Sequence, residues 1–95
     1  MEARPLTYTL EVSSQARRHL ARVPIKTYEA LVAFMEGPLL DNPQRVGKLL
    51  TNEFDGYQSA RVGVYRVVYI VDVVVRVVGV VAIGHRSSIY SRPPQ

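Results

Sequence analysis

Tyr57-Gln58-Ser59-Ala60-Arg61-Val62-Gly63-Val64-Tyr65-Arg66-Val67-Val68-Tyr69-Ile70-Val71 is the stretch that decides the fold. Residues 57–62 and 64–71 are rich in Val, Tyr and Ile, which suit a pleated surface, and Gly63 marks a turn or a bulge between two strands. Residues 74–84 predict a third strand. The connection Asp72-Val73-Val74-Val75 holds no good hairpin residue, so the turn is placed near Asp72. Upstream, Asp55-Gly56 is a turn signal and Asp41-Asn42-Pro43 begins a loop.

The amino-terminal half supplies the layer that this sheet needs. Leu6, Tyr8, Leu10 and Val12 alternate with Thr7, Thr9 and Glu11, the period of a half-buried strand. Ser13-Ser14 offers an N-cap, after which Ala16, Leu20 and Val23 fall on one helical face and Arg17, Arg18 and Arg22 lie away from it. Pro24 breaks that helix and can open the next, whose apolar stripe is Ile25, Tyr28, Leu31, Val32 and Met35. Gly37-Pro38 stops the second helix or kinks it into a last turn through Leu40. The order β-α-α-β-β-β predicts an α+β fold, with a helical hairpin on one face of a twisted, mostly antiparallel four-stranded sheet. The other face is left free for a binding groove. The chain is expected to form a single domain over residues 1–95, with an ordered core at 5–90 and a tail at 91–95.

Composition narrows the class. Ninety-five residues leave room for one modest core, and 47% hydrophobic content is globular. Residues 1–59 balance seven Lys/Arg (Arg4, Arg17, Arg18, Arg22, Lys26, Arg45, Lys48) against seven acids. Arg61, Arg66, Arg76, Arg86 and Arg92 face Asp72 alone in residues 60–95, so the net charge of +4 lies in the last third of the chain, which otherwise reads as sheet. Guanidinium stays charged and matches phosphate bidentately, which suits a nucleic-acid partner, RNA first. The absence of cysteine excludes disulfides and thiolate metal sites. Met1-Glu2-Ala3-Arg4-Pro5 has no apolar core of a secretory signal, and residues 67–83 are interrupted by Tyr69, Asp72 and Arg76 and fall short of a membrane span. A cytoplasmic location is expected.

Within that sheet Arg66 stands out. Alternation places it on the face of Val68 and Ile70, opposite Tyr65 and Tyr69. A guanidinium among apolar neighbours is costly unless paired, so it forms either a structural ion pair with Asp72 or Glu53, or a phosphate clamp on the open face. Arg61 precedes Gly63 and can reach the same groove, or serve as a solvated side chain. Gly84-His85-Arg86 ends the last strand, with Tyr90 one helical turn after Arg86. His85 can exchange a proton near neutral pH or simply cap the strand end; Tyr90 can stack on an unpaired base or pin the C-terminus to the core. His19 and His85, far apart in sequence and without paired carboxylates, make no ligand set for a metal.

Together these residues resemble a known family. Asn42-Pro43-x-Arg45-x-Gly47-Lys48, Gly56, Ser59-x-Arg61-x-Gly63-x-Tyr65-Arg66-Val67-Val68-Tyr69 and His85-Arg86-x-x-x-Tyr90 are similar to the RelE/ParE superfamily of bacterial toxin–antitoxin systems, from about Leu6 to Tyr90. The RelE-like branch implies a messenger-RNA endonuclease acting in the ribosomal A site. There the 2′-hydroxyl attacks the adjacent phosphate and leaves a cyclic phosphate and a 5′-hydroxyl, without metal or other cofactor. It also implies a cognate RelB-like antitoxin as partner, beside ribosome and mRNA. The family's functional arginines correspond to Arg66 and Arg86, and its C-terminal aromatic to Tyr90. The family's lysines on the strand before the Tyr-Arg string are replaced here by Tyr57 and Ser59. Arg61 and Lys48 can supply that charge, and His85 becomes the candidate for acid–base work. Arg17, Arg18, Arg22, Arg45 and Lys48 are the expected RNA contacts. The rival readings are a ParE-like inhibitor of DNA gyrase and a non-catalytic RNA-binding relative.

Overall fold

A computed structural model of the chain describes residues 8–89. Leu6, Tyr90 and the 91–95 tail lie outside the described residues. The elements are β1 (Thr9–Val12), α1 (Ser14–Leu20), α2 (Ile25–Glu36), α3 (Pro38–Asp41), β2 (Lys48–Leu49), a 3₁₀ turn (Asn52–Phe54), β3 (Gln58–Val62), β4 (Tyr65–Asp72) and β5 (Val77–His85). The sheet has five strands in the order β1-β5-β4-β3-β2, with β1 parallel to β5 and the other pairs antiparallel. The strand beyond the expected four is the two-residue β2. It shows no alternation in sequence and is defined by its pairing, Lys48 with Ser59 and Leu49 with Gln58.

Local chemistry explains the boundaries. Ser13 caps α1, its Oγ accepting from the Ala16 N–H at 3.1 Å, and Ala16 beneath it is fully buried. Pro24 stands in extended conformation as the N-cap of α2, and Leu31 and Met35 carry that helix into the core. Ile25 and Tyr28, from the same periodic stripe, are exposed instead. Gly37 separates α3, a single turn with Pro38 in first position, where a missing N–H leaves nothing unsatisfied. Gly63 turns β3 into β4 with φ +63°, a conformation that glycine adopts without strain.

The β4–β5 turn begins at Asp72, as expected, but β5 starts at Val77, not residue 74. The Asp72 Oδ1 accepts from the Val74 and Val75 N–H groups at 3.0 and 3.2 Å, so a carboxylate does the work that a glycine or asparagine usually does in a hairpin. Arg76 takes the left-handed φ of +59° and lays its guanidinium 5.0 Å from the Tyr8 ring centroid.

The core lies between the helices and one sheet face. Ala16, Leu31, Met35 and Leu39 pack against Ala60, Val67, Tyr69, Val78, Val80 and Ile83. No helix among the described residues is long and apolar enough to cross a membrane.

Candidate nucleic-acid interface

Strand register sorts the remaining side chains. Residues directly opposed in an antiparallel pair share a face. Ala60 and Val67 are opposed and belong to the helix-side core; Arg61 and Arg66 are opposed one step along and therefore lie on the far face. Gly84 continues that row beyond Arg66, and Lys48, Ser59, Val68 and Ala82 make the row beside it. Two predicted arginines and Lys48 thus come together on one face. That face is not bare, because Ser59, Val68 and Ala82 are all buried. Ile89 also folds back over Gly84, so closely that a β-carbon there would lie 2.9 Å from its Cδ1.

Arg66 is half-buried, and its Nε is buried without a hydrogen-bond partner. Neither intramolecular ion pair expected from the sequence is formed: the Asp72 carboxylate turns into its own hairpin, and Glu53 is exposed on the 3₁₀ turn. Among the described residues the guanidinium is therefore left without an anionic partner. Buried donors of that kind are normally satisfied, so this Nε is an exception among the described residues.

β5 delivers the other predicted residues. The Arg86 N–H donates to the Val64 carbonyl at 2.8 Å, extending the β4–β5 pairing past His85 to the Gly63 turn. His85 is opposed to Tyr65, with ring centroids 5.9 Å apart in an edge-on arrangement at 71°. Its register is thus that of Tyr65, and Gly84 is the residue abreast of Arg66. The His85 Nδ1 accepts from the Ser87 N–H at 3.1 Å and lies 2.8 Å from the Ser87 Oγ; the Ser88 and Ile89 N–H groups both reach the His85 carbonyl at 3.0 Å. The imidazole caps this turn much as an Asp or Ser side chain would, which leaves Nε2 unclaimed. Tyr90 lies outside the described residues.

The basic residues of the first half divide. Arg45 is exposed on the loop that leads to Lys48. Arg17, Arg18 and Arg22 belong to the α1 region, which packs on the helix side of the sheet, so they do not join the Arg61–Arg66 face. Arg17 Nε donates to the Val12 carbonyl at 3.3 Å. Among the described residues no three His, Cys, Asp or Glu side chains are placed to hold a metal ion.

Two supporting arrangements escaped the sequence reading. The buried Tyr69 hydroxyl donates to the Pro43 carbonyl at 2.6 Å, and burial pushes its pKa up to about 12. Gln58 Nε2 reaches the Pro43 and Gln44 carbonyls at 3.5 Å. Gly47 is needed there because a β-carbon would collide with the Tyr69 hydroxyl and come within 2.8 Å of the Ser59 carbonyl oxygen. The spacing Pro43-x-x-x-Gly47-Lys48 thus docks a loop on Tyr69 and sets Lys48 beside Ser59. Second, His19 Nδ1 accepts from the Ile83 N–H at 3.0 Å. Burial, then the neighbouring Arg18 and Arg22 guanidinium groups, lower its pKa and keep it neutral.

Comparison with known proteins gives a consistent answer. Residues 10–90 match the family model described as the ParE toxin of the type II toxin–antitoxin system parDE. The chain is 44% identical to Toxin RelE of Mycobacterium tuberculosis over 87 residues, covering 92% of this chain and 90% of that protein. It is 39% identical to Toxin RelG of the same organism, covering 92% of this chain and all of the other. Among solved structures, the RelBE2 toxin–antitoxin complex of M. tuberculosis aligns with a TM-score of 0.82 and 38% identity, over 85% of this chain and the whole of that one.

Proposed function

The chain belongs to the ParE toxin family of type II toxin–antitoxin systems and is RelE-like, and from that premise we propose that it is a metal-independent endoribonuclease that cleaves mRNA on the ribosome. The observation that carries this reading is the Arg61–Arg66 pair on one sheet face, with Arg66 Nε unpartnered. In the proposed reaction the ribose 2′-hydroxyl passes its proton, through His85 Nε2, to the departing 5′-oxygen as its own oxygen bonds to the adjacent phosphorus. The bond from phosphorus to the 5′-oxygen breaks, and that oxygen leaves as a 5′-hydroxyl. Negative charge accumulates on the phosphorane, where fixed guanidinium groups stabilise it more than they stabilise the ground state. Arg61, Arg66 and Arg86 take that role and Lys48 holds a neighbouring phosphate. His85 stands at the strand end on the Tyr65 side of the sheet, so its Nε2 serves the substrate from the sheet's edge and not from the arginine face, and Tyr90 stacks on a base. Arg17, Arg18, Arg22 and Arg45 make sequence-independent contacts with ribosomal RNA.

A cognate RelB-like antitoxin is the proposed partner, supported by the complex formed by the 38% identical relative. The exposed valines at the β4–β5 tip, Val73, Val74 and Val75, are apolar surface that such a partner would shield.

Purified protein, labelled mRNA programmed into ribosomes, and a parallel DNA gyrase supercoiling assay test the reading together. Cleavage within the ribosome-bound codon with unaffected gyrase supports it. Gyrase inhibition with intact RNA assigns the protein to the ParE-like activity, and ribosome binding without cleavage makes it a non-catalytic relative.

A further inference from the structure

We propose that His19, on α1, is a positioning residue for the site: it holds the end of β5 that carries Gly84, His85 and Arg86 in register with Arg66. The inference rests on the assignment of that strand end to the nuclease site.

β1 accompanies β5 only from Val77 to Val80. Past Val80 the strand runs on to His85 paired with β4 alone, and its register slips so that Val68 opposes Ala82 while Tyr69 opposes Val80. Val81 is the extra residue. A bulge without a neighbouring strand leaves backbone groups with no ladder partner, and such groups destabilise a buried strand unless something else pairs them. Three side chains beginning at the α1 cap take that place. Ser13 Oγ and Gln15 Nε2 donate to the Val81 carbonyl at 3.2 and 3.4 Å, and His19 Nδ1 accepts from the Ile83 N–H at 3.0 Å. Gln15 and His19 stand four residues apart and so share a helical face. The Ser13 N–H closes the series on the Val80 carbonyl at 2.9 Å. One turn of helix thus replaces the missing strand along the segment that leads into the site.

Of these contacts, the one from His19 lies nearest the site and is conditional. Only an unprotonated Nδ1 can accept from Ile83; a protonated ring would set two donors against each other. The charged groups that act on the ring are Arg18 and Arg22, from its own helix region. The residues of β5 packed against α1, among them Val80, Val81 and Ile83, carry no ionisable side chain. Acid therefore releases the Ile83 N–H; the titratable group of β5, His85, is turned to Tyr65 and Ser87, and Gly84, abreast of Arg66, is the next residue to move.

Two substitutions separate positioning from bulk stability. His19→Leu fills the space without an acceptor; His19→Asn keeps an oxygen near the position of Nδ1 and cannot ionise. Amide exchange at Ile83 and single-turnover cleavage on programmed ribosomes are followed from pH 8 to pH 5, with each rate corrected for folded fraction. His19→Leu should speed Ile83 exchange by about tenfold, as expected for a lost buried hydrogen bond. It should also slow cleavage of bound substrate by about 10–10²-fold at unchanged affinity, the scale of an ångström-sized misplacement. His19→Asn should restore both at pH 7.5 and abolish the acid-side rise in Ile83 exchange. Unchanged exchange in His19→Leu, a wild-type rate per folded molecule, or failure of Asn to rescue would each overturn the proposal. If the wild-type protein cleaves no RNA, the nuclease reading fails, and the positioning role that rests on it falls as well; Ile83 exchange then reports only whether His19 holds β5.

Discussion

Arg61 and Arg66 are cross-strand partners on the sheet face that the helices do not cover, so two guanidinium groups that cannot discharge stand abreast of one another. Like charges directly opposed weaken a sheet, and the unpaired Nε of Arg66 adds a desolvation penalty. Among the described residues no hydrogen-bond partner of that Nε accounts for this arrangement. It resembles a site that holds strain for a ligand, where function and stability pull in opposite directions.

Arg66→Met should therefore separate the two properties. Melting temperature should stay level or rise, while single-turnover cleavage falls by about 10²–10³-fold, the usual loss when one charge-stabilising group is removed from a transition state. Thermal unfolding and cleavage measured on the same preparation decide it. A destabilised variant would mean that Arg66 has a structural partner after all.

The Tyr69–Pro43 contact gives a stability prediction with a pH signature. Tyr69→Phe should cost about 1–2 kcal/mol, and Gly47→Ala about 1–3 kcal/mol from overpacking against that hydroxyl and the Ser59 carbonyl. Combined, they should cost less than the sum, because removing the hydroxyl makes room for the new methyl group. The folded-state pKa of Tyr69 is raised, from 10.0 to about 12, so its contribution is complete below pH 10 and is lost as pH rises toward 12. Denaturant midpoints should fall across that alkaline window in the wild type and fall less in Tyr69→Phe.

His85 has two jobs in two ring positions, and amide substitutions part them. Asparagine can keep the Nδ1-like acceptor for the Ser87 N–H but has nothing at the Nε2 position. Glutamine reaches the Nε2 position and leaves the turn uncapped. His85→Asn should melt close to wild type yet lose about 10²-fold in rate, the low end for acid–base or donor groups. His85→Gln should lose stability and keep more of its rate per folded molecule. Equal rates in all three proteins would reduce His85 to a cap.

At the other end of the hairpin, Val74 is 87% exposed. Val74→Ser should change stability by less than about 0.5 kcal/mol. It should reduce self-association of the free protein, measured by light scattering, and weaken binding of the RelB-like antitoxin if that partner covers the tip. Unchanged affinity would place the antitoxin elsewhere.

Much of this was legible in the sequence because periodicity reports faces. The alternation in Tyr65-Arg66-Val67-Val68-Tyr69 puts Arg66 opposite Tyr65 and Tyr69, and the register agrees. Ser13 as a cap and Gly63 as a turn are equally local signals. What stayed hidden depends on contacts between distant segments. The β5 slip at Val81 lies between β4 and α1, and β2 follows a loop that Tyr69 and Gln58 hold by hydrogen bonds. His19 looked like half of an absent metal pair because its partner is a backbone N–H that no side-chain pattern can reveal. Ile25 and Tyr28 carried the right spacing and are nevertheless exposed, since a helical stripe does not say how far the sheet beneath it extends.

Mapping of RNA ends in cells after brief induction of the wild-type protein and of Arg66→Ala decides whether the protein cuts translated mRNA through Arg66. One transcript is compared in two versions, with and without a start codon. New ends should appear inside translated codons, bearing cyclic phosphate on one side and 5′-hydroxyl on the other, only for the wild type and only on the translated message. Intact mRNA during growth arrest, or the same ends with Arg66→Ala, would contradict it.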